Sequence, residues 1–404
     1  MEINNLFSEF GKQIYFPKQG ILKQSAEANG TRLNATLGQA FEQREPMVLE
    51  VFNDKLSLGK KAFLYSPSYG RNELRELWKK LMLQKNPSLQ SGVSLPVVTN
   101  ALTHGCYLVG KMFLNEGEKL IITDKYWGNY KLIFSQAEIE VFPTFVENGF
   151  NVVGLRDKLL EEGTKKVVLL NFPNNPTGYT PLVEEVDRIK EAFLEAAEQG
   201  KEIVAICDDA YFGLVYEEGV YRESIFTKLA GLHENILAIK LDGITKECYA
   251  WGLRVGFITY GSKGITDYAE LEDKTAGAIR ATISNVSTPS QLLAVQALSS
   301  PEYSAQAEEK HLILKERYEK VKEVLANEKY KDYFMPLPYN SGYFMCIELM
   351  NNSGEEVRKR LLEEYSTGVI AIGNLLRIAF SAVDVEDIEE LFENIYLACI
   401  DCRD

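Results

Sequence analysis

Between about residue 94 and residue 260 the chain alternates short β-branched apolar runs with stretches of helical periodicity. The runs are "SLPVVTN", "KLIITD", "IEVFPT", "KVVLLNF", "IVAICDD", "ILAIKLD" and "VGFITYG". Apolar character that is continuous within each run, instead of skipping every second residue, marks strands covered on both faces. That is the habit of a largely parallel sheet in an α/β layer fold. Between runs 166–172 and 203–208, the segment "VEEVDRIKEAFLEAAEQG" places Val186, Ile189, Phe193, Leu194 and Ala197 on one helical face, with Gly200 as a stop signal. This predicts a βαβ unit. After about residue 300 the texture changes to a long charged amphipathic helix, a strand "GYFMCIEL", a helix, a strand "LLRIAFS" and a final helix from Val385. The expected organisation is a large domain over 46–300 and a smaller α+β domain over 301–404. Residues 1–45 are assigned to the small domain, because "LNATLGQA" precedes the main sheet.

Composition narrows the partners. The chain has 404 residues, 46% of them hydrophobic, so it can bury a sizeable core. Lys and Arg number 44 against 58 Asp and Glu, a net charge of -14, which disfavours nucleic acid or an anionic membrane and favours small-molecule ligands. The acidic opening "MEINNLFSEFGKQIYF" lacks the layout of a signal peptide, and no apolar run approaches the ~20 residues of a membrane span, so a cytoplasmic location is expected. The six cysteines are scattered through apolar segments, as reduced buried thiols are. Cys399 and Cys402 form a CxxC without a second pair, so no metal site is expected. With only three histidines, acid–base work falls to another residue type.

In an open parallel sheet, ligands bind beyond the carboxyl ends of the strands. Three neighbouring strand candidates each carry a polar group there: Asn175 in "NFPNNPTG", Asp208 and Tyr211 in "CDDAYFG", and Lys246 in "LDGITKECYAW". Taken alone, Lys246 is most simply a surface lysine, and Asp208 beside Asp209 a loop or capping pair. Together they describe a pocket of amide, carboxylate, phenol and amine. A buried carboxylate needs a cationic partner, and pyridoxal phosphate supplies one in its ring nitrogen while using the amine at its aldehyde. Desolvation and nearby Arg254 would disfavour the charged form of Lys246 and leave a nucleophile. For the phosphate, "TNALTHG" opens a helix whose amides at Ala101 and Leu102, with the Thr103 hydroxyl, can hold an anion. Arg254 and Thr245 add a fork and a hydroxyl.

In order and spacing, "NNPTG", D-x-A-Y at 208–211, and Lys246 with Arg254 eight residues on resemble the class I/II, aspartate-aminotransferase-like family of pyridoxal-phosphate enzymes, over nearly the whole chain. The resemblance implies that Asp208 pairs with the pyridine nitrogen, Asn175 and Tyr211 contact the phenolic oxygen, and Lys246 is Schiff-base lysine and proton carrier. It also implies that Trp127 in "YWGNY" stacks on the cofactor, and that Tyr65 in "FLYSPSYG" reaches the phosphate of a partner subunit's cofactor, hence a homodimer. Arg377 in "LLRIAFS" would bind the substrate α-carboxylate, with Gly38, Trp127 and Asn175 also facing substrate. Arg280 in "IRATISNVS" would read a side-chain carboxylate from the other subunit, which implies acidic or aromatic amino acids. Two positions depart from the family: Gly243 stands where a serine often holds the phosphate, and Tyr130 where a histidine supports the ring-nitrogen carboxylate.

Two alternatives stay open at this level. A lyase or decarboxylase of the same fold (a C–S lyase or an aspartate β-decarboxylase) would use the same lysine to break another bond. A non-catalytic ligand-binding regulator would keep the fold, yet the sequence carries no helix-turn-helix extension or basic tract for it.

Overall fold

All seven apolar runs become strands of one sheet. They are β1 (Val97–Thr99), β2 (Lys119–Thr123), β3 (Glu138–Phe142), β4 (Lys165–Asn171), β5 (Glu202–Asp208), β6 (Ile236–Gly243) and β7 (Gly256–Gly261), in the spatial order β1-β7-β6-β5-β4-β2-β3. This computed structural model describes residues 20–53, 58–90 and 92–403, together with Ser8 and Lys12. The opening stretch 1–16, read above for a leader, lies apart from those two residues outside the described ones. In β4 and β5 every residue after the first is buried, as strands covered on both faces require.

One strand departs from the parallel reading. β7 runs antiparallel to both β6 and β1. A parallel return needs a crossover of roughly a dozen or more residues, usually a helix, packed across the sheet. The link from Gly243 to Gly256 is instead taken up by a helical turn, Ile244–Glu247, and a 3₁₀ turn, Trp251–Leu253, so the chain doubles back beside β6.

Helices α1 (Asn72–Lys85), α2 (Ala101–Phe113) and α3 (Val183–Glu198) belong to this layer. α3 buries Val186, Ile189, Phe193 and Ala197 on the expected face, and Gly200 adopts φ 83° just past its end, where glycine has no Cβ to strain.

A second, antiparallel sheet consists of β8 (Phe334–Pro336), β9 (Met345–Leu349), β10 (Ile370–Ile372) and β11 (Leu375–Ile378), in the order β8-β9-β11-β10. The helices α4 (Tyr303–Leu325), α5 (Gly354–Tyr365) and α6 (Ile388–Asp401) accompany it. α6 begins at Ile388, because Val385–Asp387 form a 3₁₀ turn ahead of it. β8 and β10 are three-residue edge strands, too short to leave a period in the sequence. The N-terminal segment packs beside this second sheet and forms a separate two-stranded sheet there. Leu33 and Asn34 pair in parallel with Thr367 and Gly368, and the Gln24 amide brackets Ala371, donating to its carbonyl at 3.1 Å and accepting its N–H at 2.7 Å. Among the described residues no helix is long and apolar enough to cross a membrane.

Candidate active site

Because β4, β5 and β6 are adjacent, the residues past their carboxyl ends share one opening. A cavity of about 300 Å³ there is lined by Asn175, Asp208, Tyr211 and Lys246, and also by Gly38, Leu102, Thr103, Trp127, Tyr130 and Arg377. All of these except Tyr130, which the sequence showed only as a departure from a histidine, were expected at the site.

The pleat settles which of the two aspartates faces the cavity. Asp208, 3% exposed, accepts a 2.6 Å hydrogen bond from the Tyr130 hydroxyl at Oδ2 and one from the Ala210 amide at Oδ1, 3.0 Å. Asp209 is held instead by Lys240, which faces it at 2.7 Å. Burial raises the Asp208 carboxyl above its ordinary value, while the Tyr130 hydrogen bond and the Lys246 charge pull it down. A carboxylate so placed is best satisfied by a further cation in the cavity. Tyr130 thus does by a phenol what a histidine does elsewhere, and its ring meets Trp127 edge-on at 5.5 Å.

Lys246 rides on the turn Ile244–Glu247, with its Nζ 4.9 Å from the centroid of the Tyr211 ring. Burial lowers its pKa, Arg254 lowers it further, and Asp208 opposes them. Burial likewise raises the Tyr211 phenol, against the pull of Arg377.

Arg377, on β11, is 3% exposed. Its Nη1 donates to Asn175 Oδ1 at 3.3 Å and its Nη2 to the Thr36 carbonyl at 2.9 Å, and the guanidinium lies 4.3 Å from the Phe344 ring centroid. Its Nε is buried without a partner, and among the described residues no carboxylate pairs with it. A buried guanidinium without a carboxylate partner is costly unless an anion completes it.

The anion cradle at the start of α2 is equally specific. Ala101 takes φ 61°, and a Cβ on Gly256 would stand 2.7 Å from the Ala101 carbonyl carbon, so β7 approaches that turn too closely for a side chain. Thr245 is buried with its hydroxyl unpartnered. Gly243 explains its own departure. A Cβ there would lie 2.6 Å from the Val255 carbonyl oxygen and 2.7 Å from the Gly256 Cα, which leaves no room for a serine.

Other expected residues are not gathered into the cavity. Ala101 and Thr245 are buried and do not line it. Arg254 is exposed, in a left-handed conformation, and donates to the Trp251 carbonyl at 3.1 Å. Tyr65 is 91% exposed, and Arg280 is exposed with Nη1 3.4 Å from Ser284 Oγ. Sequence reasoning missed Asn171, which donates to the Asp208 carbonyl and accepts from the Asn175 amide, both at 2.9 Å. It also missed Cys106, whose thiol faces Asp208 at 3.7 Å, and the wall formed by Ile21, Leu22, Ser25 and Phe344. Asn171 ends an apolar strand and was findable on that ground; the others carry no local signal.

The family described as Aminotransferase class I and II matches residues 36–395. The chain belongs to this family. Among curated proteins, this aminotransferase-family chain is 27% identical over 244 residues to a probable aspartate/prephenate aminotransferase of Aquifex aeolicus, covering 59% of this chain and 57% of that one. It is 27% identical over 209 residues to aromatic-amino-acid aminotransferase 2 of Thermococcus litoralis, covering 50% and 51% respectively. The match thus spans little more than half the length of these relatives. Among solved structures, an aminotransferase of Anaerococcus prevotii superposes with a TM-score of 0.85 at 22% identity, covering 98% of this chain and all of that one. A Pyrococcus horikoshii kynurenine aminotransferase, solved with PMP, superposes with a TM-score of 0.82 at 18% identity, covering 99% and 98%. Both share this chain's α/β fold. The cofactor of the family is pyridoxal 5′-phosphate, and the residues present fit it. The unpartnered Thr245 hydroxyl and the α2 turn suit its phosphate, Asp208 its ring nitrogen, and the depressed Lys246 amine its aldehyde.

Proposed function

We propose that this protein is a pyridoxal-phosphate-dependent aminotransferase that moves an amino group between an L-amino acid and a 2-oxo acid. The observation that carries the reading is the pairing of a half-buried, pKa-lowered Lys246 with a buried Asp208 in one cavity that also presents the unpaired guanidinium of Arg377. When bound, the cofactor supplies an aldehyde that condenses with amines and a cationic ring that withdraws electrons from the substrate α-carbon.

Asp208 would pair with the ring nitrogen, and Tyr130 favours its ionised form by donating to it, against the effect of burial. Asn175 and Tyr211 contact the phenolic oxygen, and Trp127 stacks on the ring face. Ala101, Leu102, Thr103, Thr245 and Arg254 hold the phosphate, with Tyr65 reaching in from the partner subunit. Arg377 would bind the substrate α-carboxylate and so orient the α-carbon toward the cofactor and Lys246. Lys246 would hold the cofactor aldehyde covalently, and its amine, when free, would serve as the group that takes the substrate α-proton. Gly38 and the Ile21–Glu27 helix, which line the cavity, would cover the substrate, and Arg280 of the partner would read an acidic side chain. The names of the aspartate and aromatic relatives support that substrate class.

The test is the visible spectrum of the purified protein with added cofactor, before and after excess glutamate or aspartate, with the 2-oxo acid assayed. The expected result is loss of the lysine-linked band with a stoichiometric amount of oxo acid. With a cysteine-type amino acid in place of these acids, release of its thiol with ammonia and pyruvate would move the assignment to a lyase, and carbon dioxide with alanine from aspartate to a decarboxylase. Absence of any cofactor band would end the reading.

The quaternary part of the proposal is a homodimer, supported by Phe63, Leu64 and Tyr65, three consecutive large residues 88%, 64% and 91% exposed. A run of this kind is normally covered by a partner. Sedimentation of the full chain at micromolar concentration is expected to give a dimer, and a monomer would overturn this part. We also place the protein in the cytoplasm, in keeping with its six unpaired cysteines. The residues of 20–45 and 301–404 are taken as the small domain, on the strength of the strand pairing between Leu33–Asn34 and Thr367–Gly368.

A further inference from the structure

Directly behind the site, on the other face of the sheet, lies an ionic cluster that none of the roles above uses. Lys240 Nζ stands 2.7 Å from Asp209 Oδ2 and donates to Asp242 Oδ2 at 2.6 Å; the three side chains are 1%, 2% and 3% exposed. Asp242 Oδ1 accepts from the indole of Trp78 on α1 at 3.0 Å, and that indole stacks at 4.3 Å on Phe257, the residue of β7 registered opposite Asp242. One lysine therefore ties the end of β5 to β6, and through Trp78 the tie extends to α1 and β7.

The placement is what gives the cluster meaning. Asp209 follows Asp208, and Asp242 precedes the turn that carries Lys246. Strand alternation sends Lys240 and Asp242 to one face, and the two consecutive aspartates to opposite faces. The Asp209 amide also donates to the Leu241 carbonyl at 2.9 Å, carrying the β5–β6 ladder one residue past the strand.

Such a cluster is a poor device for stability. Two carboxylates and one ammonium pay desolvation that packed apolar side chains of the same volume would avoid, and replacing buried ion pairs in that way is often neutral or stabilising. Burial pushes the Asp209 carboxyl up to about 6 even with Lys240 beside it. What an ionic cluster supplies, and an apolar one does not, is a directional constraint on where strand ends sit.

We propose that Asp209, Lys240 and Asp242 are positioning residues for the reaction, a clamp on the reverse face of the sheet that fixes the strand ends bearing Asp208 and Lys246. The inference rests on the proposed roles of those two residues. The clamp acts through them and touches neither substrate nor cofactor.

The test is a charge-free triple variant, D209N/K240M/D242N, in which the amide oxygen at 242 can still accept from Trp78. It is compared with the single variant K240M, which leaves two unpaired carboxylates. The triple variant is expected to fold and to melt close to the wild type. In the cofactor-free protein its amides at 208–210 and 243–247 should exchange roughly tenfold faster or more, with the rest of β5 and β6 unchanged. In the loaded protein the visible circular dichroism of the cofactor should change. Turnover should fall about 10- to 100-fold with little change in KM, the scale of an ångström misplacement at a reacting centre. Wild-type exchange, dichroism and kcat in the triple variant would overturn the proposal. So would its failure to fold, because the cluster would then serve the fold and not the site. If the wild type itself does not transaminate, the proposed function fails, while the exchange experiment still judges the clamp.

Discussion

Replacing Lys246 with alanine is expected to leave a folded protein that still binds pyridoxal phosphate without a covalent link, and to lower turnover by at least about 10⁴-fold, the upper end of what a positioned acid–base group contributes. Two features make the effect large. The amine is the basic group in the cavity free to move a proton, since Arg377 stays protonated and is committed to Asn175 and Thr36. Its pKa is also lowered by burial and by Arg254, which favours the neutral, basic form of the amine. Binding should survive, because the phosphate cradle at α2 and Thr245 and the ring contact at Asp208 do not depend on the amine. The check is a single-turnover measurement with the spectrum followed in parallel. Undiminished turnover would remove Lys246 from the chemistry.

Asp208→Asn is the second large effect, expected to cost about 10²- to 10³-fold in kcat with a small change in KM, as for loss of one preorganised electrostatic group. The substitution keeps shape and one acceptor but removes the negative charge. Without that charge a bound ring nitrogen would be protonated less readily and would withdraw electrons from the substrate less well. Stability should move the other way. Burial raises the carboxyl above 3.8 in the folded protein, so between that value and the raised one the native state holds more protons than the unfolded chain, and stability falls as pH rises through the window. The variant has no such loss. In the cofactor-free protein its melting temperature, relative to wild type, should therefore rise from acid to neutral pH. A variant that melts lower at neutral pH while keeping wild-type kcat would contradict both the charge argument and the role.

Much of the site was legible because its residues follow strands in a regular way. Asn175, Tyr211 and Lys246 stand just past apolar runs whose length and continuity mark buried parallel strands, and the structure brings all three to one cavity. Arg377 was legible for a related reason: a guanidinium in the middle of "LLRIAFS" has no solvent to reach, and it is indeed 3% exposed. The less legible residues are those whose meaning depends on a distant neighbour. Tyr130 reads as a departure from a histidine until its hydroxyl is seen 2.6 Å from Asp208. Cys106 is one more apolar residue of α2, and Gly243 a lost anchor, until the packing shows a thiol facing the carboxylate and a backbone too close for any side chain. Tyr65 and Arg280 remain on the surface of the single chain.

The amino-acid sequence by itself determined the seven strands of the large sheet, the helix between β4 and β5, and the order of amide, carboxylate, phenol and amine along the chain. Those are local matters of run length, periodicity and capping, which each segment carries within itself. Tertiary structure alone decided that β7 runs antiparallel, that the N-terminal segment pairs with Thr367 and Gly368, and that Asp208 faces the cavity while Asp209 faces Lys240. Each of these depends on which residues meet across a sheet or between chain ends hundreds of positions apart. The strand pattern gives the two aspartates opposite faces, but only the packing of α2 on one side and of Trp78 on the other makes one face a cavity and the other a core.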